Sequence, residues 1–120
     1  MTLDKSQLMR GTLQGCILKI ISKRMTYGYE ILEILRSGGF DGLSEGTVYP
    51  LLQRMEKQGA LRAKMLPSPM GPRRKYYELT EEGREYLCLF EEYWLKLHRT
   101  VNRIMRASIK RRLVCRRVRR

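Results

Sequence analysis

A chain of 120 residues suits one domain, whose core can hold without disulfides or metal. Its formal net charge of +13 is uneven, because the last fifteen residues hold eight cations and no acid while the first 105 sum to +5. That balance favours polyanionic partners, nucleic acid before an anionic membrane. Cys16, Cys88 and Cys115 are odd in number and unpaired in spacing, which argues against a disulfide framework or a zinc site. No apolar run approaches spanning length and no signal segment leads the chain, so a cytoplasmic protein without a membrane span is expected.

From Lys5 to Arg24, Met9, Leu13, Cys16, Ile17, Ile20 and Ile21 recur at helical spacing, which predicts one first helix with Cys16 as a small packing residue. Thr26 is placed to cap a second helix that turns Ile31, Leu32 and Leu35 inward and ends at Ser37-Gly38-Gly39. The segment Gly38 to Gly42 is the turn into a third helix. Ser44 caps that helix, Val48, Leu51, Leu52 and Met55 form its apolar stripe, and Gly59 supplies the left-handed residue that ends it. Pro50 removes a backbone donor inside it and is expected to bend it.

Two short strands follow, flanking a turn on which Arg73, Arg74 and Lys75 are expected as a basic tip, with Tyr76 and Tyr77 on opposite sheet faces. Beyond Thr80 the acids Glu81 and Glu82 favour a helix start. Leu87, Phe90, Trp94, Leu97, Val101 and Ile104 then step by threes and fours as a heptad seam, widened by Tyr86, Leu89 and Tyr93. This is more apolar surface than one small domain covers, which predicts a homodimer along that seam. The tail from Arg106 alternates apolar and basic residues; extension of the helix, DNA backbone beyond the operator, an anionic membrane and disorder are its open readings, and self-repulsion favours disorder without a partner.

The fold class expected is mainly α with a small β-hairpin wing: a winged helix-turn-helix over 1–79, a long dimerisation helix over 80–106 and a basic tail over 107–120. In such a fold the third helix enters the major groove and the wing lies on the backbone or minor groove. The candidate DNA contacts are Tyr27, Ser44, Glu45, Gly46, Thr47, Tyr49 and Arg54, joined by Arg73, Arg74 and Lys75 for phosphates. Gln53 shares the polar side of the helix, and the phenols of Tyr27 and Tyr29 either cap phosphates or pack. Gly46 allows close approach of backbone to the duplex. On charge alone, a basic RNA- or ribosome-associated structural protein is the rival reading. One histidine, no nucleophile elbow, no phosphate-binding glycine loop and no ligand cluster argue against an enzyme, a metal or a cofactor.

Three segments, YGYEIL (Tyr27 to Leu32), GTVYPLLQRMEKQG (Gly46 to Gly59) and GPRRKYYELTEEG (Gly71 to Gly83), resemble the PadR family of bacterial transcriptional regulators in order and spacing. The resemblance spans most of the first hundred residues, and the tail departs from it. It implies a winged-helix dimer that represses transcription and often releases DNA on a small-molecule or stress signal. Its target would be a pseudo-palindromic operator, read by two helices about 34 Å apart. In some drug-responsive members a tryptophan at the matching position of the long helix stacks on planar aromatic ligands between subunits. Phe90, Tyr93 and Trp94 are the corresponding candidates here for a planar aromatic effector.

Overall fold

The computed structural model describes residues 1–106; Cys115 and the expectations placed on the tail over 107–120 lie outside the described residues. The first helix is divided. α1 (Lys5–Met9) is capped by the Asp4 carboxylate, which accepts from Ser6 N at 3.1 Å, and α2 (Thr12–Lys23) begins after Gly11, whose φ of 88° turns the chain between them. The step from Met9 to Leu13 keeps helical spacing across that turn, which is why periodicity does not reveal it. α2 buries Leu13, Ile17, Leu18 and Ile21, while Cys16 is half-buried and its thiol is pushed up by burial.

Thr26 is not a helix cap. It belongs to β1 (Thr26–Tyr27), and Tyr27 is the N-cap of α3 (Gly28–Ser37). Thr26 is only 1% exposed, so its hydroxyl needs a partner; it donates to the Glu30 carboxylate, whose other oxygen pairs with Arg24 at 3.2 Å. α3 buries Ile31, Leu32 and Leu35, as its spacing predicts.

α4 (Glu45–Lys57) follows the glycine turn and runs through Pro50 without interruption. Val48, Leu52 and Met55 are buried; Leu51, expected on the same stripe, is half-buried. Ser44 is the N-cap residue, but its side chain makes no cap hydrogen bond; its carbonyl accepts from Thr47 N at 3.1 Å and Val48 N at 3.2 Å. Gly59, at φ 90°, ends the helix as expected.

β2 (Leu61–Ser68) and β3 (Gly71–Leu79) form the hairpin, in register from Leu61↔Leu79 to Ser68↔Gly71 with an irregularity between Leu66 and Ser68. β1 pairs with the other edge of β3, so the sheet has three strands in the order β1-β3-β2 rather than two. Leu43, Leu61, Tyr77 and Leu79 join the inner faces of the helices in the core.

α5 (Glu81–Arg106) starts at a knot with the exit of α4. The Thr80 hydroxyl donates to Gly59 O at 2.6 Å and accepts from Gly83 N at 3.0 Å, and Thr80 N donates to Ala60 O at 3.1 Å. At Gly83 a Cβ would stand 2.1 Å from that Ala60 oxygen, so only glycine fits. Residues Met1–Cys88 form one compact unit, which takes in the first turns of α5, and the described residues from Leu89 belong to a second. Leu87, read as a seam residue, is 6% exposed and is buried in the first unit. These observations make the fold a winged helix with a long C-terminal helix.

Candidate nucleic-acid interface

Burial of Val48, Leu52 and Met55 leaves the other side of α4 in solvent. Ser44, Glu45, Gly46, Thr47, Tyr49, Gln53 and Arg54 are all exposed. The Tyr49 ring lies against Gly28, where a Cβ would come within 2.8 Å of its Cε1; the glycine at the start of α3 is what makes room for it. Burial, followed by the charge of Glu45, raises the Tyr49 phenol above its ordinary value, so at neutral pH it is a hydroxyl donor.

The wing departs from expectation at its tip. Ser68 pairs with Gly71, so Pro69 and Met70 make the turn, and Arg73, Arg74 and Lys75 lie inside β3. Alternation along a strand then sends neighbouring cations to opposite faces, and the three acquire different surroundings. Arg73 is exposed with no acidic partner among the described residues. Arg74 is half-buried, its guanidinium carbon 4.4 Å from the centre of the Tyr27 ring. Lys75 reaches Glu56 of α4 at 2.8 Å and lies over Tyr77, and its ammonium is held above its ordinary value mainly by the hydrogen bond to Glu56.

Tyr76 and Tyr77 take opposite faces as predicted. Tyr77 is core, its phenol pushed up by burial, and Tyr76 meets Tyr27 edge to face at 5.3 Å. Two further wing cations, Arg62 and Lys64 on β2, share the Glu78 carboxylate at 3.2 and 3.3 Å and hold it below the usual carboxylate range, Lys64 contributing most. They are absent from the residues singled out in the sequence, although Leu61 buried and Arg62 exposed begin a period-two alternation that points to them.

The start of α3, the middle of α4 and β3 enclose an open cleft of about 450 Å³, lined by Tyr27, Tyr29, Tyr49, Gln53, Arg74 and Lys75 among others. The structure therefore brings Tyr27, Tyr49, Arg74 and Lys75 together. Thr47 and Arg54 are elsewhere: with Arg10 and Pro50 they line a separate hollow of about 310 Å³ between α1, α2 and α4. Ser44, Glu45 and Gly46 stand at the exposed first turn of α4 or just before it. Hydroxyls, an amide and cations facing one cleft suit an acceptor-rich anionic surface, and among the described residues no three His, Cys, Asp or Glu side chains are grouped to hold a metal.

In the second unit, Tyr93, Trp94, Leu97, Val101 and Ile104 are exposed and Phe90 is half-buried. The Trp94 and His98 rings lie 5.5 Å apart, tilted by 40°.

The family model for PadR-like transcriptional regulators matches residues 17–88, ending where the first compact unit ends. A PadR-like transcriptional regulator from Bacillus cereus is 43% identical, with a TM-score of 0.77 over 82% of this chain and 96% of its own. A Streptococcus transcriptional regulator is 45% identical, with a TM-score of 0.77 over 82% of this chain and 97% of its own. An uncharacterized protein of Lysinibacillus sphaericus is 31% identical over 103 residues, which is 84% of this chain and 94% of that one. With its winged fold and a matched segment that takes in α3, α4 and the wing, this chain belongs to the PadR-like family of transcriptional regulators.

Proposed function

We propose that this chain is a homodimeric, cytoplasmic repressor that binds a pseudo-palindromic duplex operator and is released by a small-molecule or stress signal. The observation that carries the DNA contact is the convergence of Tyr49 and Gln53 from α4 with Arg74 and Lys75 from β3 on one open cleft beside the exposed face of α4. In this reading α4 lies in the major groove with Ser44, Glu45, Gly46, Thr47 and Tyr49 nearest the duplex. Arg54, Arg73 and Arg74 serve phosphates. No helix among the described residues is long and apolar enough to cross a membrane.

The exposed row Trp94, Leu97, Val101 and Ile104, with half-buried Phe90, supports a second copy as the cover for α5. Phe90, Tyr93 and Trp94 are the proposed seat of a planar aromatic effector, which would shift operator affinity by binding two arrangements of the dimer unequally.

Selection of duplexes from a random library, followed by transcription from a template carrying the selected site, tests the reading. Enrichment of an inverted repeat and lowered transcription are expected. Equal binding of duplex and single-stranded RNA with no enriched sequence points instead to an RNA-associated structural protein.

A further inference from the structure

We propose that Tyr27 is a positioning residue: its ring holds the Arg74 guanidinium ready for the duplex backbone, and its hydroxyl does not touch the DNA. The inference rests on the DNA-binding reading above and specifies how one cation of that surface is prepared.

The strand register pairs Tyr27 with Tyr76, and Arg74 is two residues from Tyr76 on the same face of β3, so Tyr27 and Arg74 are diagonal neighbours. Both halves of the seat are fixed. The backbone of Tyr27 is paired to β3 on one side and is the N-cap of α3 on the other, while its ring meets the Tyr76 ring at 5.3 Å in a T-shaped contact, 61° between planes. Arg74 lies over the same ring with its guanidinium carbon 4.4 Å from the centroid.

Its neighbours are satisfied differently. Lys75 is neutralised by Glu56, and Arg62 and Lys64 share Glu78. Arg74 has no carboxylate at ion-pair distance among the described residues, so its charge is uncompensated while its swing is restrained. A guanidinium held over an aromatic face does not engage its full set of N–H groups in hydrogen bonds to it, and these remain to match phosphate oxygens. Restraint before binding reduces the side-chain entropy lost when the contact forms. The ring face supplies this seat, so phenylalanine serves as well as tyrosine.

The test uses the full chain, a labelled duplex of random sequence and fluorescence anisotropy across a salt series, with Tyr27→Phe, Tyr27→Leu, Arg74→Ala and the Leu/Ala double variant. Tyr27→Phe should bind within about twofold of the parent, and Tyr27→Leu should weaken binding roughly two- to fivefold. Arg74→Ala should flatten the salt slope by about 0.9, one phosphate contact, and Tyr27→Leu should cost nothing further in that background. A loss in Tyr27→Phe equal to that in Tyr27→Leu, or additive losses in the double variant, overturns the proposal.

A second measurement needs neither DNA nor the leucine variant. The Arg74 Nε–H resonance of the free protein should carry a ring-current displacement that Tyr27→Phe preserves. Its absence from the parent overturns the seat even if the duplex binds. A displaced resonance in a protein that does not bind the duplex overturns the DNA-binding reading, and the proposal with it.

Discussion

Lys75 Nζ stands 2.8 Å from Glu56 Oε1, so a carboxylate of α4 neutralises a cation that β3 presents to the same cleft. Both side chains are a third to a half exposed, which limits the pair to less than about 1 kcal/mol of stability. The raised pKa of Lys75 means that this contribution is complete at neutral pH and fades only as pH climbs through the raised value.

Glu56→Gln should therefore leave thermal unfolding nearly unchanged while freeing Lys75 for phosphate. Duplex affinity should rise about two- to fivefold at low salt, with a steeper salt dependence. Anisotropy titrations across a salt series check both. Unchanged affinity and slope would show that Lys75 never meets the duplex.

Two glycines on this surface should behave oppositely. At Gly46 a new Cβ meets only Ser44 Oγ at 3.6 Å, so Gly46→Ala should stabilise α4 by about 0.5–1 kcal/mol while weakening binding if backbone approaches duplex there. At Gly28 the Cβ would press on the Tyr49 ring, so Gly28→Ala should keep the fold, displace Tyr49 and alter sequence preference. Melting curves paired with competition between selected and random duplexes separate the two effects. A Gly28→Ala protein with unaltered preference would remove Tyr49 from base recognition.

Residues of the long helix that share one heptad pattern should divide in the same way. Leu97→Glu places a charge on the exposed row and should yield monomers by sedimentation, with operator affinity falling because two half-sites are no longer held together. Leu87→Ala should instead cost about 2–5 kcal/mol of stability and leave the association state alone. A parent protein that sediments as a monomer at micromolar concentration would dismiss the dimer.

What the sequence revealed and what it hid follow from how far each signal reaches along the chain. Val48, Leu52 and Met55, or Ile31, Leu32 and Leu35, announce their helices because each stripe repeats within a few residues. β1 has two residues and no period to detect, so the third strand emerges only when Tyr27 pairs with Tyr76. In SPMGP either Pro69-Met70 or Gly71-Pro72 reads as a turn, and only the pairing of Ser68 with Gly71 decides, which moved three cations from the tip into the strand. The seats of Arg74 and Lys75 join residues distant in the chain, and no local pattern encodes them.

The wing also carries a pH signature. Lys64 and Arg62 depress the Glu78 carboxyl, so this cluster stabilises the fold above the ordinary carboxylate range and loses that contribution as pH falls through the depressed value. Glu78→Gln should remove that part of the acid limb from a plot of melting temperature against pH and leave the neutral plateau little changed. An identical acid limb in the variant would assign it to other carboxylates.

Where α4 ends and α5 begins, the chain has no slack. Thr80 grips Gly59 with its hydroxyl and Ala60 with its amide, and Gly83 sits so close to Ala60 that no side chain could act as a cushion. The first turn of α5 is thereby held against Gly59 and Ala60, the residues that follow α4. The hairpin that links them in sequence is bound into the same joint, because its base buries Leu61 and Leu79 and β3 ties Lys75 to Glu56 of α4, leaving only its far end around Pro69 and Met70 free to vary.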